Sequence, residues 1–399
     1  NSAPMIDIAA DVDAMTIVAN SDLSMHLIAQ SQTALDEVTD DARTLVTGIP
    51  SAVLILASYE DAWDYIMHTS TTLAANIYNL LIIFSEVDAT THTSVTQIFN
   101  NSVASLKIAN SRAAMIALIH DSASMTKLIA SPNLETIFTA SIAMNQISQH
   151  PEAIIPISAD ATAWSLYLAS PLFAINLKDA VATLAGLVYS DYADVTAIFA
   201  NETASLAVAN SQPAMQAILS DSASIAILIA SDNLDTVLGE SVAMTEIAGS
   251  ESTMNTLMSN SVAFPIVLTS ALAKAAIFAS PTLLGTMLTP GSDSLATVQA
   301  SAQTQVGPTP DTNIGSFQSL GLSGNVIILT AVMGSIVGTL LDNYFKGDTG
   351  PTDTFGCPGV QAAVPPTAVN KGYTNVVWDV NSIAATAAAK VTVTYVDFN

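Results

Sequence analysis

The residues able to do chemistry are few in this 399-residue chain, and they are scattered. It has five histidines (His26, His68, His92, His120 and His150), one cysteine (Cys357) and 34 acidic residues against 9 basic ones. The histidines fall in separate repeats, which reads each as a surface or groove residue more than as a ligand. Asp11-x-Asp13 and the Asp348/Asp353 loop could touch Ca²⁺, but neither has the oxygen spacing of an EF-hand. Among so many carboxylates, a pair at glycosidase distance cannot be picked out by sequence. Trp378 could stack on a sugar, yet strand alternation groups it with Val376 and Val380 and so with a core. The chain has no G-x-S-x-G elbow, no H-E-x-x-H, no dinucleotide fingerprint and no P-loop. The expectation is therefore a non-enzymatic protein with no catalytic residue, no cofactor and no metal site, its receptor-binding residues unknown.

The elements that would position any site come from one decapeptide, clearest in Ser21-Asp-Leu-Ser-Met25-His-Leu-Ile28-Ala29-Gln30. It recurs for nearly three hundred residues, as at Met15, Met25, Met115, Met125, Met144, Met215 and Met244. A continuous helix turns about 100° per residue, so a ten-residue spacing would wind the methionines around the surface without forming a stripe. Heptad and eleven-residue coiled-coil periods do not fit either. One short helix per decapeptide does. Serine at each repeat start is an N-cap, and Ser131-Pro132, Ser170-Pro171 and Ser280-Pro281 put proline at the first helical position. Ser21-Asp22 and Ser231-Asp232 place a carboxylate at the positive end of the helix dipole. Ala, Met and Ile at positions four, five and eight form one apolar face, and the methionine ladder reads as core. Helices this short cannot stand alone, so the units must stack, and the predicted fold class is an α-solenoid followed by a small all-β module.

A second period groups the decapeptides. Residues 95–149 align with 195–249 without a gap, with identical Val-Thr-x-Ile-Phe at 95 and 195 and Leu-Ile-Ala-Ser at 128 and 228. This divides the chain into helical modules 1–100, 101–200 and 201–290. Aromatic landmarks recur in them at Trp63/Tyr65, Trp164/Tyr167 and Phe264. Residues 291–320, rich in Ser, Thr, Gln, Gly and Pro, read as an extended linker, and 321–399 as a β-rich module, a sandwich or small jelly roll. Leu322–Leu341 is the most apolar stretch. Its Gly334-x-x-x-Gly338 would suit a membrane helix, but Asn325, Thr330, Ser335 and Thr339 interrupt it and favour buried strands with bends.

A net charge of −25, with no Lys or Arg between Lys178 and Lys274, excludes nucleic acid as the main partner and disfavours anionic membranes. A single cysteine forbids an intrachain disulfide, so stability must come from packing and association. The chain begins at Asn1, in phase with a module and without an initiator Met, which leaves room for sequence upstream.

The Ser-x-x-Ala-Met-x-x-Ile-Ala unit, over roughly residues 1–290, resembles the short repeats of tail-fibre-like virion structural proteins of large tailed bacteriophages. What the resemblance implies is an external virion appendage: a stalk, a β tip that touches a host receptor or glycan, and assembly with other virion proteins as a homo-oligomer, a trimer by analogy. Two other readings stand beside it, an extracellular or cell-surface filament or adhesin subunit, and a polysaccharide-cleaving fibre tip.

Overall fold

The computed structural model describes residues 3–69, 76–306, 318–320, 322–333, 340–347, 352–358, 367–375, 377–380 and 391–399. Side chains at 3–5, 175, 305–306, 318–319, 332–333, 340–344, 353–358, 367–368 and 377–380 are outside that description. The chain is mostly helical, with antiparallel strands at its C-terminal end. It divides into two compact units, Asn1–Val195 and Thr196–Asn399.

In the first unit the ten-residue rhythm becomes discrete helices: Val12–Ala19, Asp22–Ala29, Ser102–Ala109, Arg112–Ile119 and Ser122–Ile129 among others. Successive helices turn sharply, by 93° between Ser102–Ala109 and Arg112–Ile119. The breaks are built by side-chain caps that satisfy otherwise orphaned N–H groups. Asp11 accepts from the N–H groups of Asp13 and Ala14, so Asp11-x-Asp13 is a helix cap. Asn101, Ser111 and Asp121 likewise cap Ser102–Ala109, Arg112–Ile119 and Ser122–Ile129. The seven repeat methionines are buried, as a packing role requires, and Trp63, Tyr167 and Phe264 are fully buried landmarks of their modules.

Packing between helices follows a period that the decapeptide does not reveal. Val12–Ala19 lies on Asp40–Thr47, Asp22–Ala29 on Pro50–Ala57, and Arg112–Ile119 on Ser141–Gln149. In the second unit Glu202–Ala209 lies on Leu234–Gly239, Gln212–Ser220 on Ser241–Gly249, and Ser241–Gly249 on Ala271–Ala279. Each of these helices thus meets the third one after it, about thirty residues on.

Hydrogen bonds mark the same register. The Phe99 carbonyl receives Ser131 Oγ at 2.9 Å and Asn133 Nδ2 at 2.7 Å, together with Ser105 Oγ at 2.9 Å. The Phe199 carbonyl receives Ser231, Asn233 and Ser205 at 2.8, 2.8 and 3.2 Å. The identical segments at 95/195 and 128/228 are the two halves of this three-donor junction.

Three expected joints differ. At Ser131-Pro132 the helix begins only at Leu134, and at Ser170-Pro171 a 3₁₀ turn, Phe173–Asn176, follows instead of an α-helix. The serine hydroxyl there accepts from the N–H two residues on, and Ser131 also reaches Phe99, so it closes a turn. Ser231-Asp232 behaves like Ser131, with its helix starting at Leu234. Ser280-Pro281 is as expected: Ser280 accepts from Leu283 N–H and Pro281 opens the helix. Ser21 begins its helix in extended backbone without a side-chain cap bond.

The strands are β1 (Gln303–Val306), β2 (Gln318–Ser319), β3 (Asn325–Met333), β4 (Leu340–Lys346), β5 (Asp353–Pro358), β6 (Thr367–Thr374), β7 (Val377–Val380) and β8 (Val391–Asp397). Among the described residues they form two four-stranded antiparallel sheets, ordered β1-β8-β3-β6 and β2-β7-β4-β5. Val326, Ile328, Ala331, Val391 and Val393 pack with Phe345 of the other sheet into one core. The apolar stretch 322–341 therefore supplies β3 and the start of β4. Among the described residues no single helix is long and apolar enough to cross a membrane.

The expected linker 291–320 holds ordered elements: helix Asp293–Ala300, capped by Ser292, then β1 and β2. Ser294 Oγ reaches the Met287 carbonyl, which gives the polar composition a structural use that periodicity does not register. The β1-β8-β3-β6 sheet rests on the last helices of its own unit. Phe278 meets Phe398 at 6.4 Å, and Lys274 Nζ donates to the Asn399 carbonyl. Gly372 lies so close to Phe278 and Leu284 that a Cβ would come within 2.9 and 3.1 Å of their side chains.

Candidate functional site

The first unit gathers three of the five histidines, against the expectation that they stay apart. Asp64 and His68 lie on one face of the helix Glu60–Thr69, which packs on Arg112–Ile119. His120 is the C-cap of Arg112–Ile119, and His150 is the C-cap of Ser141–Gln149. Because those two helices stack in the thirty-residue register, their cap histidines meet, with ring centroids 5.5 Å apart at 87°. His68 meets the other side of His120 at 5.2 Å and 79°. Glu152 reaches the group from the 3₁₀ turn Pro151–Ala153.

The cluster has a definite polarity. His150 Nδ1 faces the Gln146 carbonyl at 2.8 Å, one of the last carbonyls of its helix, and His150 Nε2 faces Asp64 Oδ1 at 3.2 Å. His120 Nδ1 faces Glu152 Oε1 at 3.6 Å, and its Nε2 faces Asp64 Oδ1 at 3.9 Å. Those two separations are too long for hydrogen bonds, and His120 Nε2 is buried without a hydrogen-bond partner. The His120 and His150 side chains are 8% and 13% exposed, whereas Asp64 is 44% exposed and opens the cluster to solvent.

Burial pulls the His120 pKa below the ordinary histidine range. Glu152 and Asp64 oppose this, and His150 and His68 reinforce it. Burial prevails, which keeps His120 a neutral base. Asp64, His120 and His150 bring one ligand atom each to within 4.8 Å of one another, as do His68, His120 and Glu152.

The other candidates have local roles. His26 Nδ1 pairs with Tyr59 Oη at 3.0 Å, and His92 Nε2 with Asn101 Nδ2 at 3.0 Å. Trp378 stands in β7 opposite Gln318 and Phe345, and Asp353 and Cys357 stand in β5; their side chains lie outside the described residues, as does Asp348 altogether. Sequence spacing could have pointed to the cluster in one way. His120 and His150 are thirty residues apart at corresponding helix ends, a signal that becomes legible once the stacking register is known.

No protein-family profile matches the chain, and no curated protein matches it.

Proposed function

We propose that the chain is a non-enzymatic structural protein, the stalk and tip of a phage fibre or appendage that serves attachment or virion assembly. The observation that carries the structural half is the thirty-residue register. Short capped helices meet their third neighbour, and the Phe99 and Phe199 carbonyls each accept side-chain donors from about thirty residues on. We read this as an α-solenoid, in which neighbouring repeats supply the burial that an eight-residue helix lacks. The virion half rests on the likeness of the Ser-x-x-Ala-Met-x-x-Ile-Ala repeats to tail-fibre-like proteins and on the change to β structure at one end.

In this reading the β module makes the terminal contacts, with a host receptor or glycan and with other copies of the chain, a trimer by analogy with fibres. Gold-labelled antibody against the purified chain tests it on intact particles. Label on external appendages supports the proposal, while label only after the capsid is opened rejects it. Label on cell-surface filaments in place of particles would favour the filament reading.

A further inference from the structure

We infer that Asp64, His120 and His150 bind a divalent first-row transition-metal ion, Zn²⁺ being the best match, which ties three helical repeats together. The inference does not depend on the virion reading.

The donor set chooses the class of ion. Two imidazoles and one carboxylate suit Zn²⁺ and its neighbours, whereas Ca²⁺ and Mg²⁺ take oxygen ligands. Spacing agrees. Ligand atoms held about 2.0–2.2 Å from a tetrahedral Zn²⁺ stand about 3.3–3.6 Å apart. His150 Nε2 and His120 Nε2 lie 3.2 and 3.9 Å from Asp64 Oδ1. Asp64, the most exposed of the three, can close the longer gap by a small side-chain rotation.

The outer contacts point the same way. A metal-bound imidazole normally turns its other nitrogen to a carbonyl or carboxylate, which fixes the tautomer. His150 turns Nδ1 to the Gln146 carbonyl at 2.8 Å, and His120 Nδ1 lies 3.6 Å from Glu152, a charge contact longer than a hydrogen bond. Both Nε2 atoms face the same Asp64 Oδ1, that of His150 at hydrogen-bond distance and that of His120 beyond it. A cation at that point meets all three groups, including the buried His120 Nε2 that otherwise has no partner.

The scaffold itself does not require these side chains. The positions one hundred residues on from His120 and His150 are Ser220 and Ser250, in the same places at the ends of Gln212–Ser220 and Ser241–Gly249. The histidines are an addition to a frame that caps well with serine. The trio His68, His120 and Glu152 is the weaker site, because His68 and Glu152 are exposed and His120 has only one free lone pair to give.

The full chain, stripped with a chelator, is titrated with Zn²⁺ against a chromophoric chelator and separately with Co²⁺. The expected result is saturable binding at a single site per chain, a visible Co²⁺ spectrum of tetrahedral type, and a thermal midpoint that rises with free Zn²⁺. D64N, at a position open to solvent, and H150Q abolish all three readouts, and the metal-free thermal midpoint of D64N stays near wild type. E152Q weakens Zn²⁺ about 10- to 100-fold. H68Q binds as wild type does. Absence of saturable binding in the wild-type chain overturns the inference, as does undiminished binding by both D64N and H150Q. Loss of binding in H68Q with retention in D64N overturns the choice of ligands.

Discussion

Replacing Ser131 by Ala probes the junction that holds the repeats in register. Its hydroxyl accepts from Asn133 N–H at 3.0 Å and donates to the Phe99 carbonyl at 2.9 Å, in a residue 8% exposed. Each bond contributes about 1 kcal/mol net, and the alanine also leaves the Asn133 N–H without that acceptor, so the expected loss is about 2 kcal/mol. Ser111→Ala is the comparison: it removes one cap bond, to Ala114 N–H at 3.3 Å, for about 0.5–1 kcal/mol. For a unit of this size the Ser131 change lowers the thermal midpoint by about 4–8 °C. Because Ser131 and Asn133 share the Phe99 carbonyl, S131A and N133A together should depart from additivity by about 0.5 kcal/mol or more. Denaturant and thermal unfolding of the full chain followed by circular dichroism give these values. A loss in S131A no greater than in S111A would refute the view that the thirty-residue contacts carry stability beyond local capping.

Further expectations rest on other contacts. Gly372→Ala drives a methyl group into Phe278 and Leu284 and should cost about 1–3 kcal/mol, read as a lower thermal midpoint; an unchanged midpoint would mean that the sheet does not rest on those helices. Tyr167→Phe should alter stability at neutral pH by less than about 1 kcal/mol, since its buried hydroxyl has only a marginal contact with Ser148, whose own hydroxyl is turned to the Leu172 carbonyl. Burial raises the Tyr167 pKa to about 12, and the Ser148 hydroxyl, turned to the Leu172 carbonyl, opposes this only in part. A folded pKa above the unfolded value of about 10 means a contribution complete below pH 10 and lost as pH rises from there towards 12. Wild type should therefore lose ground to Y167F across that window, and parallel alkaline profiles would contradict the assignment. Light scattering of the full chain should give a homo-oligomer, with a monomer at micromolar concentration against it. A fragment beginning at residue 321 would be a poor substitute, because it lacks β1 and the helices beneath Gly372 and Phe398.

Much of the local structure was legible in the sequence, because capping is a short-range matter. A Ser, Asp or Asn before an Ala/Met/Ile face announces a helix within ten residues, and the buried Met15, Met115 and Met215 show the face correctly read. The same rule misled at Ser131-Pro132, where a buried serine had a partner thirty-two residues away that no local pattern displays. It also missed the helix Asp293–Ala300, whose polar residues bond to backbone outside any apolar period. The thirty-residue register depends on the angle between successive helices, a tertiary quantity. Histidines 30 and 52 residues apart looked unrelated for that reason, although the fold puts them on one another.

The central claim, a structural appendage that serves attachment, is tested most directly by particles made without this chain. The account predicts full capsids with normal nucleic-acid content that lack an external appendage and no longer adsorb to the host, with adsorption restored by supplying the chain in trans. Particles that keep every appendage and adsorb at the normal rate without it would contradict the account.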